Sequence, residues 1–205
     1  MNGENIAAIV ALLQARLEPV EHAELLSDAL EGVLPTARKA AVLLGLFAVE
    51  GEMQLLFIRR ATTLRSHSGE IAFPGGGSEL IDSSLVMTAL REAQEEIGLD
   101  PSNVKVLGLL HPVFTVVSNY LIVPVVAYLP EGLGMLQLQP SEVTDILVAS
   151  VRGLADPAIF HTEQWVREGQ RRTIYFYDYE GYRIWGATAR ILNELLELLG
   201  NVLTP

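Results

Sequence analysis

The 205-residue sequence has no cysteine, which excludes disulfides, thiolate metal sites and cysteine nucleophiles. Positive charge is also scarce. Fourteen Lys and Arg stand against 25 Asp and Glu, giving a formal net charge of −11 and a pI of about 4.8. So acidic a chain repels nucleic-acid backbones and anionic membranes unless a local basic patch intervenes. Neither kind of partner is therefore expected. Long hydrophobic runs are missing too: residues 40–49 and 121–129 are the longest, and both are too short to span a bilayer. The opening Met1-Asn2-Gly3-Glu4-Asn5 lacks the basic stretch of a secretory signal, so a cytoplasmic protein is expected. No Gly-x-Ser-x-Gly elbow occurs, which argues against a serine nucleophile.

Half of the residues are apolar, enough for a sizeable core in one domain, or in one domain with a helical arm. Ile6, Ile9, Val10, Leu13 and Leu17 recur at the spacing of one helical face. A second helix is expected within residues 20–30, ending near Gly32 and Pro35. Residues 1–35 thus read as an N-terminal extension carrying a helical pair, bland packing or an interface that could support a homodimer. From residue 38 the pattern changes. Apolar runs at 40–49 and 53–59, parted by Glu50-Gly51-Glu52, predict a β-hairpin. Further strands are expected at 104–110, 120–129, 146–150 and 173–179. Asp82-Ser83-Ser84 offers N-caps for a helix running to about Ile97 and stopped by Gly98. A last helix is expected over residues 187–199. Strands around a central helix, with helices at both ends, indicate a mixed α/β fold.

The central helix carries chemistry. Glu92, Glu95 and Glu96 stand at i, i+3 and i+4 and share a helical face. Like charges at that spacing repel by a few tenths of a kcal/mol per pair. Hard oxygen donors at such density suit Mg²⁺ or Mn²⁺, although a solvated glutamate face would also account for them. Phe73-Pro74-Gly75-Gly76-Gly77 precedes the helix, a loop whose backbone, at Gly76 in particular, can approach a metal or phosphate closely. Upstream, Arg59, Arg60 and Arg65 fall within seven residues of an otherwise acidic chain, next to Ser68 and Gly69. Guanidinium forks suit phosphate, and the hydroxyl and glycine amide add donors. Solvated loop charges are the plain alternative.

Glycine loop and helix together, ending Arg91-Glu92-Ala93-Gln94-Glu95-Glu96-Ile97-Gly98-Leu99, resemble the Nudix box, G-x5-E-x7-R-E-U-x-E-E-x-G-U with U aliphatic. Ala93 takes the first U position. Ser83 stands where the box has its first glutamate, with Asp82 and Glu79 nearby as substitutes. The resemblance implies an α/β fold in which helices sandwich a mixed β-sheet (α/β/α), with the Nudix domain over residues 36–205. It further implies a metal-dependent pyrophosphohydrolase with Glu92, Glu95 and Glu96 as ligands of Mg²⁺ or Mn²⁺. Arg91 joins the catalytic set by pairing with a carboxylate that ties helix to loop.

Residues 56–76 resemble a narrower signature, L-L-T-x-R-S-x3-R-x3-G-x3-F-P-G-G, of the Nudix enzymes that cleave coenzyme A. Arg60, Arg65, Gly69, Phe73, Pro74, Gly75 and Gly76 are in register, while Phe57, Ile58 and Ala61 replace Leu, Thr and Ser. Ile184-Trp185-Gly186-Ala187-Thr188-Ala189-Arg190 resembles the closing segment of the same enzymes, with Trp185 read as mainly core. The likeness implies cleavage of coenzyme A or acyl-CoA to 3′,5′-ADP and (acyl-)4′-phosphopantetheine, with Arg59, Arg60, Arg65, Ser68 and Gly69 binding substrate. Two other readings stay open: a Nudix hydrolase for another nucleoside diphosphate derivative, such as ADP-ribose or a dinucleotide, and a Nudix-fold binding protein. The four histidines, His22, His67, His111 and His161, lack paired ligand spacing and read as structural or surface groups. Glu142, in Pro140-Ser141-Glu142-Val143, reads either as a helix N-terminal acid or as an extra base from a downstream loop.

Overall fold

The computed structural model describes residues 6–28, 34, 36–62, 68–167 and 169–202. Among them, eight strands form one sheet and three more form a second. The first sheet grows from β1 (Arg38–Val49) and β2 (Glu52–Arg60), joined as a hairpin in which Glu50 and Gly51 both have positive φ, 51° and 83°. That pair of left-handed residues gives the tight two-residue turn matching the strands' twist. β3 (Ile71–Ala72) lies along β2, and β4 (Gly75–Gly77) runs antiparallel to the first half of β1. β5 (Lys105–Leu109) and β6 (Val113–Thr115) both pair with β7 (Tyr120–Tyr128), and β8 (Val143–Ser150) pairs with β2. β1 and β7 are parallel over nine residue pairs, Arg38↔Tyr120 to Leu46↔Tyr128, while every other pairing is antiparallel. The sheet is therefore mixed, as the resemblance to the Nudix box implied. A middle strand covered on both faces has no polar side to show, which explains why β1 and β7 read as continuous apolar runs.

Helices cover both faces. On one, α3 (Leu85–Ile97) packs Leu85, Ala89, Ala93 and Ile97 against Ala41, Leu43, Leu56, Ile58 and Val123. On the other, α1 (Ile6–Arg16) and α5 (Gly186–Leu199) bury Ile9, Leu13, Ile191, Leu192 and Leu195 with Leu44, Leu46, Leu55, Phe57 and Val126. α3 begins where Ser84 Oγ accepts from Met87 N, and ends at Gly98 in the left-handed conformation, as its N-cap serine and trailing glycine dictate.

The N-terminal helical pair is not formed. After α1 comes a 3₁₀ turn at Val20–His22, running into the short helical segment α2 (Ala23–Asp28). The expected end near Gly32 and Pro35 lies outside the described residues. The reason is the burial available: Ile9, Leu13 and Leu17 join the core on the α5 face, whereas Ala23 and Leu26 join the core on the α3 face. The chain crosses the sheet end between them, tied there by the Glu18↔Leu109 bridge. Two segments that serve opposite faces cannot pair with each other.

The second sheet was only partly expected. β9 (Phe160–Arg167), β10 (Gln170–Tyr179) and β11 (Tyr182–Trp185) form an antiparallel meander after the one-turn helix α4 (Val151–Leu154). Its inner side rests on α5 through Tyr177, Tyr179 and Ile184.

β4 is the constrained element. Gly75 has φ 153°, and a Cβ there would stand 2.3 Å from the Ala41 carbonyl oxygen and 2.6 Å from Val42 Cα. Both obstacles are backbone, so they cannot rotate away. Gly75→Ala is expected to lower the urea-unfolding free energy by about 2 kcal/mol or more; an unchanged unfolding midpoint would show that β4 can shift freely along β1.

Candidate active site

β4 is three glycines long and presents no side chain to α3, so the helix's polar face can lie directly on strand backbone. Gly75 N–H donates to Glu96 Oε2 at 2.9 Å. A Cβ on Gly76 would fall 2.6 Å from the Glu92 carboxylate. Glycine at that position is thus a condition for Glu92 to occupy its place. The side chain of Glu96 is 2% exposed and that of Glu92 14%, against 58% for Glu95. Of the three glutamates read from the helix, two are brought together under the glycine strand and the third faces solvent.

Burial sets the electrostatics. Loss of hydration pushes the Glu96 carboxyl up to about 7, opposed by the Gly75 amide and the Arg60 guanidinium and reinforced by Glu92 and Glu142. Glu92 is raised for the same first reason, opposed by Arg91 and reinforced by Glu95 and Glu142. Arg60 Nη1 stands 3.6 Å from Glu96 Oε1, and Arg60 Nε is buried with no hydrogen-bond partner among the described residues. A register shift between Arg59 and Arg60, where β2 leaves β8, marks a bulge of the kind that re-aims side chains. Glu142 comes to the same place: its carbonyl accepts from Ala61 N at 2.7 Å, and its charge acts on both buried glutamates. The reading of Glu142 as a helix N-terminal acid fails, since the strand β8 begins at Val143.

Arg91 ties the helix to the loop before it. Its Nε donates to Asp82 Oδ1 at 2.9 Å, and Nη2 donates to Asp82 Oδ2 and the Gly77 carbonyl, both at 3.1 Å. Nη1 lies 2.8 Å from Glu95 Oε2 and 3.0 Å from Glu92 Oε1. Asp82 also accepts from Thr88 Oγ1 and from Glu79 N, each at 2.9 Å. The bidentate Arg91 fork holds the Asp82 carboxyl down to about 2. Of the acids near the position occupied by Ser83, Asp82 is therefore the partner of Arg91, and Glu79 contributes its backbone. Ser83 itself is exposed.

The basic segment divides. Arg60 reaches the carboxylates, while Arg59, Ser68 and Gly69 line a separate cleft of about 310 Å³ beside β11. Gly69 N donates to the Arg60 carbonyl at 3.1 Å and Ser68 Oγ to the Thr62 carbonyl at 2.7 Å, closing the neck of the loop. Arg65 and His67 lie outside the described residues. The remaining histidines have local acidic partners instead: His22 with Glu18, His111 with Glu194 and His161 with Asp178.

Among the described residues no three Asp, Glu or His side chains are gathered as a ready-made cage. The donor set nevertheless fits a hard cation. Glu92 and Glu96 are largely dehydrated carboxylates set against the bare backbone of Gly75 and Gly76, and Mg²⁺ characteristically takes one or two carboxylates with water and substrate phosphate. Burying two acids side by side is costly even with Arg91 and Arg60 beside them, and a divalent cation would offset that cost.

A family model for the NUDIX domain matches residues 36–168. The chain belongs to the Nudix hydrolase family. Members of this family are generally metal-dependent pyrophosphohydrolases acting on small nucleotide derivatives. The chain is 41% identical over 160 residues to an uncharacterized Nudix hydrolase, NudL, of Photorhabdus laumondii, covering 78% of this chain and 84% of the relative. To NudL of Salmonella paratyphi B it is 36% identical over 163 residues, 80% of this chain and 83% of the relative. A crystal structure of a MutT/nudix family protein from Enterococcus faecalis aligns with 98% of this chain and 75% of its own, at 16% identity and a TM-score of 0.51. That likeness supports the Nudix fold. No helix among the described residues is long and apolar enough to cross a membrane.

Two residues of this Nudix site have opposite pH signatures. Removing the acid deprives the Arg91 guanidinium of its bidentate partner and leaves it Glu92, Glu95 and the Gly77 carbonyl, so Asp82→Asn is expected to cost about 2 kcal/mol in urea unfolding. Because the Asp82 carboxyl is held low, its contribution is complete above about pH 4 and fades as pH falls toward 2; a loss under about 0.5 kcal/mol would deny Arg91 its anchoring role. Glu96 has the opposite sign. Between pH 4.5 and about 7 the folded, metal-free protein keeps a proton there that the unfolded chain has released, so stability declines as pH rises through that window. In chelator, Glu96→Gln should melt several degrees higher than the parent at about pH 8 and at the same temperature at about pH 4. Equal melting at both would contradict the buried charge.

Proposed function

We propose that this Nudix hydrolase cleaves the pyrophosphate of coenzyme A or an acyl-CoA, giving 3′,5′-ADP and 4′-phosphopantetheine or its acyl form. The observation that carries the reading is the position of Arg60. It belongs to the upstream signature that resembles that of enzymes cleaving coenzyme A, and its guanidinium stands 3.6 Å from Glu96 of the Nudix box, with Nε buried and unpartnered among the described residues. Two motifs well separated in sequence thus meet at one point, where an anion from the substrate would complete the hydrogen bonding of Arg60.

Glu92, Glu96 and the backbone at Gly76 would hold Mg²⁺ or Mn²⁺, with Glu95 as the solvent-side ligand. Such a cation neutralises pyrophosphate oxygens and lowers the pKa of water. The chain's own residues do the rest. Arg60 offsets the charge gathered on a phosphoryl oxygen, and Gly75 fixes Glu96 through its amide. Arg91 keeps Glu92 from swinging out, held in turn by Asp82. Glu142, the acid beside the pair, is the candidate to accept the proton of the attacking water. Arg59 and Arg65 would extend the substrate contacts beyond the pyrophosphate, with Ser68 and Gly69 shaping the loop beside them, since their hydroxyl and amide already donate to the Thr62 and Arg60 carbonyls.

Incubating the protein with coenzyme A and Mg²⁺ or Mn²⁺ should yield 4′-phosphopantetheine by mass spectrometry, and chelation should abolish it. Glu92→Gln and Glu96→Gln are each expected to lower kcat/KM by at least about a hundredfold, and Glu142→Gln to lower kcat more than it raises KM. Turnover of ADP-ribose with none of coenzyme A would overturn the substrate; unchanged rates in both glutamine variants would overturn the site.

A further inference from the structure

The sequence has two tryptophans, and neither is fully buried. Both, Trp165 and Trp185, lie on the outer side of the small sheet, the side turned away from α5. There His161, Phe176 and Trp185 form one cross-strand row over β9, β10 and β11, with His161 and Phe176 stacked at 5.0 Å and Phe176 and Trp185 near-parallel at 6.3 Å. Trp165, 45% exposed, leans on Trp185 at 5.8 Å. Cross-strand packing of this kind accounts for Phe176, which the other rings bury. It does not account for the end of the row. Trp185 lines the 310 Å³ cleft together with Arg59, Ser68, Gly69, Glu70, Tyr182 and Arg183.

The cleft combines an aromatic surface with two guanidinium groups and one carboxylate, Glu70, a net positive lining. Arg59 has no carboxylate partner among the described residues. Arg183 is 63% exposed and is steadied by Asp178, through Nε at 2.8 Å and more loosely through Nη2 at 3.5 Å, which leaves Nη1 for a second acceptor. Arg59 is also the chain neighbour of Arg60, about 3.8 Å away at Cα, so the cleft begins one residue from the guanidinium that meets Glu96. Its volume lies at the lower end of the range for small-molecule sites. A flat ring between aromatic and cationic groups, with phosphate donors at hand, suits a purine nucleotide, whose base stacks and whose phosphate takes the arginine forks.

We propose that this cleft is the nucleotide subsite, in which the substrate's purine base lies on Trp185 and a ribose-linked phosphate is held between Arg59 and Arg183. The assignment rests on the coenzyme A reading for the identity of that phosphate, and on the cleft alone for the base.

Metal-free protein titrated with adenosine 3′,5′-bisphosphate, followed by tryptophan fluorescence and calorimetry, tests it. Binding should quench the fluorescence. Trp185→Ala should weaken binding about tenfold, and Trp185→Phe should restore it to within about threefold. With coenzyme A as substrate, Trp185→Ala should raise KM by a similar factor and leave kcat within about twofold. Arg183→Ala, an exposed change that spares the core, should abolish the preference for coenzyme A over dephospho-coenzyme A. Wild-type affinity and KM in Trp185→Ala and Arg183→Ala, with unchanged circular dichroism, would overturn the subsite. If ADP-ribose rather than coenzyme A is hydrolysed, a raised KM for it in Trp185→Ala upholds the base position, and only the phosphate assignment and the coenzyme A reading fall.

Discussion

The structure turns on how closely α3 can approach β4. Three consecutive glycines remove every side chain between helix and strand, and the space they leave is filled by carboxylates. A Cβ on Gly76 would collide with Glu92, and the Gly75 amide is already committed to Glu96. This proximity has an electrostatic cost, because Glu92 and Glu96 are both dehydrated and both disfavoured as anions. The fold accepts that cost where Arg60 and Arg91 stand nearby and where a cation and a phosphate can complete the balance. Side chains in place of these glycines would collide with the Ala41 carbonyl and the Glu92 carboxylate, and would force helix and strand apart.

Around this contact the other elements act as supports. Asp82 and Arg91 fix the start of the loop against the middle of the helix, with Thr88 and the Glu79 amide completing the acid's hydrogen bonds. The hairpin of β1 and β2 delivers Arg60 from the strand beside the one that carries β4. β8 and the turn before it bring Glu142 to the end of the same strand. Each polar group in the site is thus placed by an element whose own reason for folding is apolar.

Much of this was legible in the residues. The runs at 40–49 and 53–59 gave the hairpin, and Ser84 and Gly98 marked the ends of α3 within a residue or two, because caps and strand periodicity are local properties. The glutamate spacing put three acids on one face; which two would be covered depended on β4, which is a tertiary fact. Asp82 stood in the sequence as an alternative to Glu79, and the choice was made by the reach of Arg91. The expected pairing of two N-terminal helices failed because amphipathic spacing says which side of a segment is apolar and not which face of a sheet it will cover. β9 and the outer tryptophan row went unread since residues 160–167 are almost wholly exposed and carry no buried stripe. Trp185 read as core through its apolar character, yet it lines a cleft.

The parallel pairing of β1 with β7 has a consequence for the order of assembly. Arg38 and Tyr120 are 82 residues apart along the chain (120 less 38), and α3 with its glycine strand lies wholly inside the loop they close. Closing a loop of that length costs about 4 kcal/mol in chain entropy before any native contact repays it, whereas the β1–β2 hairpin closes over two residues. Local pieces can therefore form early, while the floor beneath the carboxylates is completed only when the distant strand docks. A nascent chain that has emerged only as far as residue 110 has every box glutamate and no finished sheet to hold them, so competence for chemistry arrives late in synthesis, after the last central strand.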